Sequence, residues 1–283
     1  MKLPMKKKGL LRIWLATVWC VCLLAVLGGV TYAWFTFDPF TRVEPMSGSI
    51  GPGEATLLIA ANPRDEFGKQ CLLPQYNGPG LKPVSTIDLS HFYRAYSQSR
   101  QGISLAFQDV SHLVEEDTIH GTLYLQSLSE ACDVYFYLQG MDFGNDPQML
   151  AALRLGLRFT TEGGVRSYIF ELNEAGNTEG VVAMQTTAQN GVVVAGIREG
   201  DVPVYEKDPA RSINAYAAIV NGEQPMKPDK GEQALCTLAF KEIAKVEYWL
   251  YLEGCDENCV NEVQNRDVML QLAFAGVTNK QEE

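Results

Sequence analysis

The stretch VEYWLYLE, Val246 to Glu253, has the alternation that decides the fold. From Val246 onward every second residue is apolar, and these residues form one face of an extended strand. Trp249 and Tyr251 lie on the opposite face, because successive side chains of a strand point to opposite sides. An aromatic outer face is either covered by another layer or offers a contact surface. We expect core packing on both faces.

The same alternation, or a short apolar β-branched run, recurs along the chain and predicts about ten further strands. They cover residues 55–60, 103–107, 118–125, 134–138, 153–159, 166–171, 192–197, 215–220, 234–240 and 268–274. Helix signals are few: one spans Ser85 to Tyr96, and a short turn of helix opens at Asp146-Pro147. Many short strands separated by Gly, Pro and Asn turns predict a mainly β protein, a jelly-roll-like antiparallel β-sandwich with short helical insertions.

The N-terminus indicates export. Five basic residues precede an uncharged run of 25 residues, 13–37. As a helix this run is about 37 Å long, enough to cross a bilayer core. The one-sided charge indicates a cytoplasmic N-terminus and an extracellular or cell-surface remainder. Two interpretations stay open: a signal peptide cleaved between Ala33 and Trp34, and an uncleaved anchor in which residues 13–37 hold the protein in the membrane.

The sequence therefore divides into four predicted parts. Residues 1–37 are the hydrophobic N-terminal helix, and residues 38–54 are an extended linker. Residues 55–277 form the β-sandwich ectodomain, and residues 278–283 are a polar tail. The 46% hydrophobic content suffices for a real core, and no repeat or low-complexity linker divides the ectodomain.

The charge of the exported part excludes one class of partner. Without the five basic residues before Ile13, 18 basic residues face 34 acidic ones, a net charge of −16. A surface this acidic repels phosphate, so we expect no nucleic-acid partner.

A loop with two cysteines, Cys255-Asp256-Glu257-Asn258-Cys259, follows the opening stretch. Its spacing and its acids fit neither a C-x-x-C redox site nor a zinc site, which would need two more ligands. We interpret Cys255 and Cys259 as a small disulfide, with two free thiols as the alternative. Oxygen-rich neighbours, including Asp256, Glu257 and Asp267, keep calcium as a minority hypothesis. The pairing of Cys71, Cys132 and Cys236 stays open.

The sequence offers no catalytic motif. His91, His112 and His120 form no H-E-x-x-H pattern, and neither a G-x-S-x-G elbow nor a phosphate-binding loop occurs. We expect a non-enzyme without catalytic or cofactor-binding residues, and with no metal beyond the calcium hypothesis.

The junction Gly28-Gly29-Val30-Thr31-Tyr32-Ala33-Trp34-Phe35-Thr36 resembles the signal-sequence ending of TasA/camelysin-like exported proteins of Gram-positive bacteria, with clostridial-type relatives. A dedicated SipW-type signal peptidase processes these signals, which implies cleavage near Ala33. The resemblance implies a jelly-roll fold and, as in some members, fibres of the biofilm matrix built by strand donation. Asp38 to Arg42 has one acid where members often have several. The metallopeptidase activity ascribed to the camelysin branch has no motif here to carry it.

We therefore expect an exported structural protein of the cell surface or matrix. It would assemble with copies of itself by adding a strand to a sheet edge. Phe35 to Ile50 is the predicted donor, because signal removal makes it a free N-terminus. The alternative function is a membrane-anchored extracellular binding module for glycan or peptide.

Overall fold

Strands dominate the computed structural model, which describes residues 46–53, 55–76, 80–97, 105–172, 210–221, 224–227, 234–256, 258, 259, 263 and 268–278. The strands are β1 Ser47–Ile50, β2 Leu57–Ala60, β3 Gln70–Leu72, β4 Tyr93–Ser97, β5 Leu105–Asp109, β6 Ile119–Ser127, β7 Ala131–Phe136, β8 Leu153–Thr161, β9 Gly164–Glu171, β10 Arg211–Ser212, β11 Ile219–Asn221, β12 Gln224–Met226, β13 Cys236–Ala239, β14 Ile243–Leu252 and β15 Gln271–Thr278. Short helices span Val114–Asp117 and Pro147–Ala152, with 3-10 turns at Ser111–Leu113, Leu138–Gly140 and Ile213–Tyr216. The mainly β prediction is confirmed.

Two sheets carry the architecture. Sheet I has the order β13-β7-β15-β1-β3, and sheet II has the order β10-β9-β8-β14-β6-β2. Most neighbours are antiparallel, but β1 pairs with β15, and β10 with β9, in parallel. The antiparallel pairing predicted for the sandwich is therefore wrong at these two pairs. Hairpins β4–β5 and β11–β12 form separate two-stranded sheets.

A shared apolar core lies between the two sheets. Phe136 of sheet I packs edge-to-face on Phe170 of sheet II with ring centroids 4.9 Å apart. Phe159 of sheet II meets Phe274 of sheet I at 6.4 Å. These contacts join strands distant in sequence, and they are consistent with a β-sandwich.

Strand β14 is the centre of sheet II. It pairs with β6 on one side and β8 on the other, in eight-residue registers. Val246, Tyr248 and Leu250 are fully buried in the core between the sheets. The face predicted from alternation is thus confirmed as the core face.

The outer face of β14 is covered by the segment between β3 and β6. Trp249 is 5% exposed and Tyr251 is fully buried. Phe92 packs edge-to-face on Tyr251 at 6.1 Å. The Arg158 guanidinium lies 5.2 Å from the Trp249 ring and donates to the carbonyl of Leu89. The expectation of core packing on this face is confirmed.

The predicted helix at Ser85 to Tyr96 is wrong. Thr86 accepts a bond from the Leu89 amide, as an N-cap would, but Leu89 has φ 57°. A leucine in this left-handed region ends any helix, and the chain continues into β4. The second helix prediction is confirmed: Asp146 caps Pro147–Ala152 by accepting from the Gln148 and Met149 amides.

Part of the predicted linker belongs to the fold, because residues 47–50 form β1 inside sheet I. Residues 1–45 and the predicted strand 192–197 lie outside the described residues. All described residues fall within one compact unit, Phe40–Glu283.

Candidate functional site

A buried ion pair fixes the cysteine loop. Arg154 of β8 is 1% exposed, and its Nη2 donates to Asp256 Oδ2 at 2.7 Å. Its Nη1 donates to the carbonyls of Ala151 and Leu153 at 2.9 and 3.1 Å. Asp256 Oδ1 accepts from the backbone and side-chain nitrogens of Asn258 at 2.8 and 3.0 Å. The loop after β14 is therefore anchored to β8 by charge and by hydrogen bonds.

Sequence reasoning missed this pair. In residues 153–159, Arg154 and Arg158 alternate with apolar residues, a pattern typical of a strand with one buried and one solvent-exposed face, but the loop after β14 covers Arg154. No local signal could have found the partner, because Asp256 is 102 residues further along the chain.

The anchoring of Asp256 bears on the calcium hypothesis. One carboxylate oxygen pairs with Arg154, and the other accepts two bonds from Asn258. A calcium ion at Asp256 would have to displace these partners and overcome the guanidinium charge. Glu257 and Asp267, the other two candidate ligands, lie outside the described residues. Within the described part of the chain, no three potential metal ligands converge.

The thiol of Cys259 sits in an environment that opposes ionisation. Burial, followed by the nearby carboxylates of Glu253 and Asp256, raises the pKa of Cys259 to about 12. Because the thiolate is the reactive and metal-binding form, this environment disfavours redox or metal chemistry at Cys259. The described cysteines form no disulfide in this structure, so the Cys255–Cys259 bridge stays a prediction.

Burial is also the main cause of the raised pKa of the Cys71, Cys132 and Cys236 thiols. It raises the pKa of Cys132 to about 11 and that of Cys236 further still. Cys71 is half-buried on β3 with a raised pKa, again chiefly through burial. At all three thiols burial outweighs the influences that favour the thiolate, so none is set up as a reactive cysteine.

The histidines lie in three different settings. His91 is exposed and its Nδ1 is 2.9 Å from Asp88 Oδ2, which raises the His91 pKa. His112 is exposed in a 3-10 turn. His120 of β6 stacks on Trp249 at 5.1 Å, and its burial lowers its pKa. The stacking contact makes His120 part of the packing around Trp249.

Strand β1 is held mainly by its backbone. Its residues pair with β15 from Ser47 opposite Gln271 to Ile50 opposite Phe274, and with β3 on the other side. The Ile50 amide donates to the carbonyl of Lys69 at 2.8 Å. The strand sequence, SGSI, has one large side chain.

There is little space for a side chain at Gly48 in β1 or at Gly53 just after it. A Cβ at Gly48 would lie 2.6 Å from Ile59 Cδ1 and 3.2 Å from Cys71 Sγ. A Cβ at Gly53 would lie 2.4 Å from the carbonyl oxygen of Gly276. β1 can lie this close to its neighbours because its side chains, except that of Ile50, are small.

The small side chains of β1 leave a groove on the outer face of sheet I. It has a volume of about 310 Å³, and its polar lining comes from Ser47, Ser49, Gln70 and Gln271. These hydroxyl and carboxamide groups are uncharged donors and acceptors. Leu72, on the edge strand β3, borders the groove and is 77% exposed.

The predicted cleavage point at Ala33 and Trp34, and the apolar run 13–37, lie outside the described residues. Among those that are described, no helix has both the length and the apolarity of a membrane span. Comparison with known protein families, with curated proteins and with solved structures finds no match for this chain.

Proposed function

We propose that this chain is an exported structural protein of the cell surface or matrix, a jelly-roll-like sandwich behind a hydrophobic N-terminal helix, that assembles by exchanging strand β1 between copies. The observation that carries the proposal is the position of β1. It is the first described element, and it lies inside sheet I between β15 and β3.

Three features support exchange. First, β1 is bound largely through backbone hydrogen bonds, which any copy of the same strand can make. Second, it pairs with β15 at the other end of the sequence, so no short connection ties it to that neighbour. Third, cleavage before Trp34 would leave β1 close to a free N-terminus. Exchange of an identical terminal element between protomers is a low-cost route to assembly.

A covalent lock tests the proposal. Ser47 and Gln271 are directly opposed in the parallel register of β1 and β15, and both are half-buried at the groove. The double variant Ser47→Cys/Gln271→Cys should join each copy's own β1 to its own β15 when oxidised. In a chain beginning at Trp34, we expect the oxidised variant to stay monomeric and the reduced variant to assemble, as seen by light scattering and electron microscopy.

The matched control is the single variant Ser47→Cys, which cannot form the lock and should assemble under both conditions. Mass spectrometry of the 47–271 disulfide peptide verifies the lock. Equal assembly of the locked and reduced chains would refute strand exchange. Monomers of the wild-type chain under all conditions would refute self-assembly altogether.

The second candidate is a membrane-anchored binding module for glycan or peptide. The uncharged groove beside β1 favours it, because hydroxyl and carboxamide groups suit neutral polar ligands. N-terminal sequencing of the native protein separates the two candidates. A start at Trp34 supports release and assembly, and a start at Met1 supports anchoring.

A further inference from the structure

A second cavity, of about 380 Å³, opens between the end of β7 and the helix Pro147–Ala152. Its apolar wall is formed by Met141, Phe143, Leu150 and Leu172. Asp142 lines it as well and supplies a carboxylate. Asn145 lines the cavity too, so polar and apolar groups share its surface, a combination that suits a small molecule with one polar end.

The backbone around Asp142 is fixed before any ligand arrives. Asp142 exchanges two backbone hydrogen bonds with Gln271, at 3.2 and 2.8 Å, which attach it to sheet I. Its Oδ1 accepts from the Gly144 amide at 2.9 Å. Gly144 has φ 93°, a conformation that favours glycine. The carboxylate is therefore held in place by its own loop.

The second oxygen, Oδ2, accepts no hydrogen bond from the described part of the chain. None of the residues described as lining the cavity is basic, and the Asp142 side chain is half-exposed there. A single carboxylate is too few ligands for a calcium or magnesium ion. An anion is excluded by the same charge and by the net charge of −11 on the whole chain.

We propose that this cavity binds a primary ammonium group carried on a short apolar body. The ammonium group donates to Asp142 Oδ2, and the body packs on Phe143 and Leu150. A cavity of this volume is near the lower end of ligand pockets, so it suits a ligand of roughly ten non-hydrogen atoms. β1 contributes no residue to the cavity lining, so amine binding can be measured separately from assembly, although Gln271 pairs with both Asp142 and Ser47 of β1.

The test is a titration of the full chain with 2-phenylethylamine, monitored by calorimetry, with 2-phenylethanol as the neutral comparison. We expect saturable binding of the amine and weaker binding of the alcohol, by up to about fivefold, because a charge-assisted hydrogen bond to a half-exposed carboxylate is lost. Asp142→Asn should weaken amine binding by a similar factor and leave the alcohol unchanged. Glu162→Gln, which removes an exposed carboxylate outside the cavity, should change neither.

A second variant keeps the test valid if Asp142→Asn fails to fold. Leu150→Lys replaces a half-buried wall residue and brings an ammonium group to the cavity, so it should abolish amine binding in a folded chain. Equal affinity for amine and alcohol, full amine binding by Asp142→Asn, or no saturable binding by the wild type would overturn the proposal.

Discussion

Strands β14 and β1 are both interior strands of a sheet, but different forces hold them. β14 has ten residues, and five consecutive ones, Tyr248 to Leu252, are buried. β1 has four residues, of which one is buried, and that residue is a glycine. β14 is fixed by side-chain burial and by the ion pair that follows it. β1 is fixed by backbone bonds and by the absence of side chains. This difference is why the proposed strand exchange involves β1, whereas we expect β14 to stay in its own sheet.

The largest expected effect concerns the anchor that follows β14. Asp256→Ala leaves the Arg154 guanidinium buried without its carboxylate partner, and breaking a buried pair in this way costs about 3–5 kcal/mol. The free energy of unfolding from urea titration measures it. Glu247→Ala, which removes the more exposed pair with Lys245, is the control and should cost at most about 1 kcal/mol. Similar losses of unfolding free energy in the two variants would show that the buried ion pair stabilises the protein no more than the exposed pair does.

Truncation of a buried side chain in β14 should have the next largest effect. Leu250→Ala creates a cavity in the core between the sheets and should cost about 2–5 kcal/mol. Ile50→Ala in β1 removes a half-buried side chain at the edge of that core and should cost less. If Ile50→Ala lowers the free energy of unfolding as much as Leu250→Ala does, side chains hold β1 as they hold β14, and the proposed difference between the two strands is refuted.

We expect an added methyl group in β1 to destabilise the protein more than the truncation of a β1 side chain does. Gly48→Ala places a Cβ 2.6 Å from Ile59 Cδ1, so we expect overpacking to cost about 1–3 kcal/mol. It should also make the Cys71 thiol react faster with an alkylating reagent, because Cys71 packs against Gly48. Gly163→Ala, whose nearest neighbour would be 3.5 Å away, is the control and should change neither quantity. Unchanged labelling of Cys71 would show that the added Cβ does not loosen the contact between β1 and β3.

The smallest expected effect is a pH dependence beside β14. Burial against Trp249 lowers the pKa of His120 below its ordinary 6.5, and Glu115, Glu247 and Lys245 are the charged groups that act on it. The unfolded chain then takes up a proton at a higher pH than the folded chain does. The stability contributed by neutral His120 is complete above pH 6.5 and declines as the pH falls further.

His120→Gln should therefore flatten the decline in stability below pH 6.5, as measured by thermal unfolding across that range. His91, whose raised pKa gives the opposite slope, is present in both chains and cancels in the comparison. An unchanged slope in the variant would show that His120 titrates alike in the folded and unfolded chains.

The same contrast explains what the sequence could predict. The apolar alternation of β14 and β8 predicted their buried faces, because burial of alternate side chains is what specifies such strands. The position of β1 inside sheet I was not predicted, because SGSI has no such pattern and one of its two partners, β15, lies at the far end of the chain. Arg154 was misplaced for a related reason: the residue that neutralises it lies on a distant loop. The helix predicted at Ser85 to Tyr96 failed for the opposite reason. A local helix signal is present there, but the left-handed backbone of Leu89 ends any helix.

The measurement that tests strand exchange most directly uses two singly substituted chains. Ser47→Cys and Gln271→Cys are mixed as mature proteins with different isotope labels, allowed to assemble, and oxidised. If β1 of one copy occupies the sheet of another, mass spectrometry will find the 47–271 disulfide joining peptides of different label. If assemblies form but no such mixed disulfide appears, β1 stays in its own sheet and strand exchange is refuted.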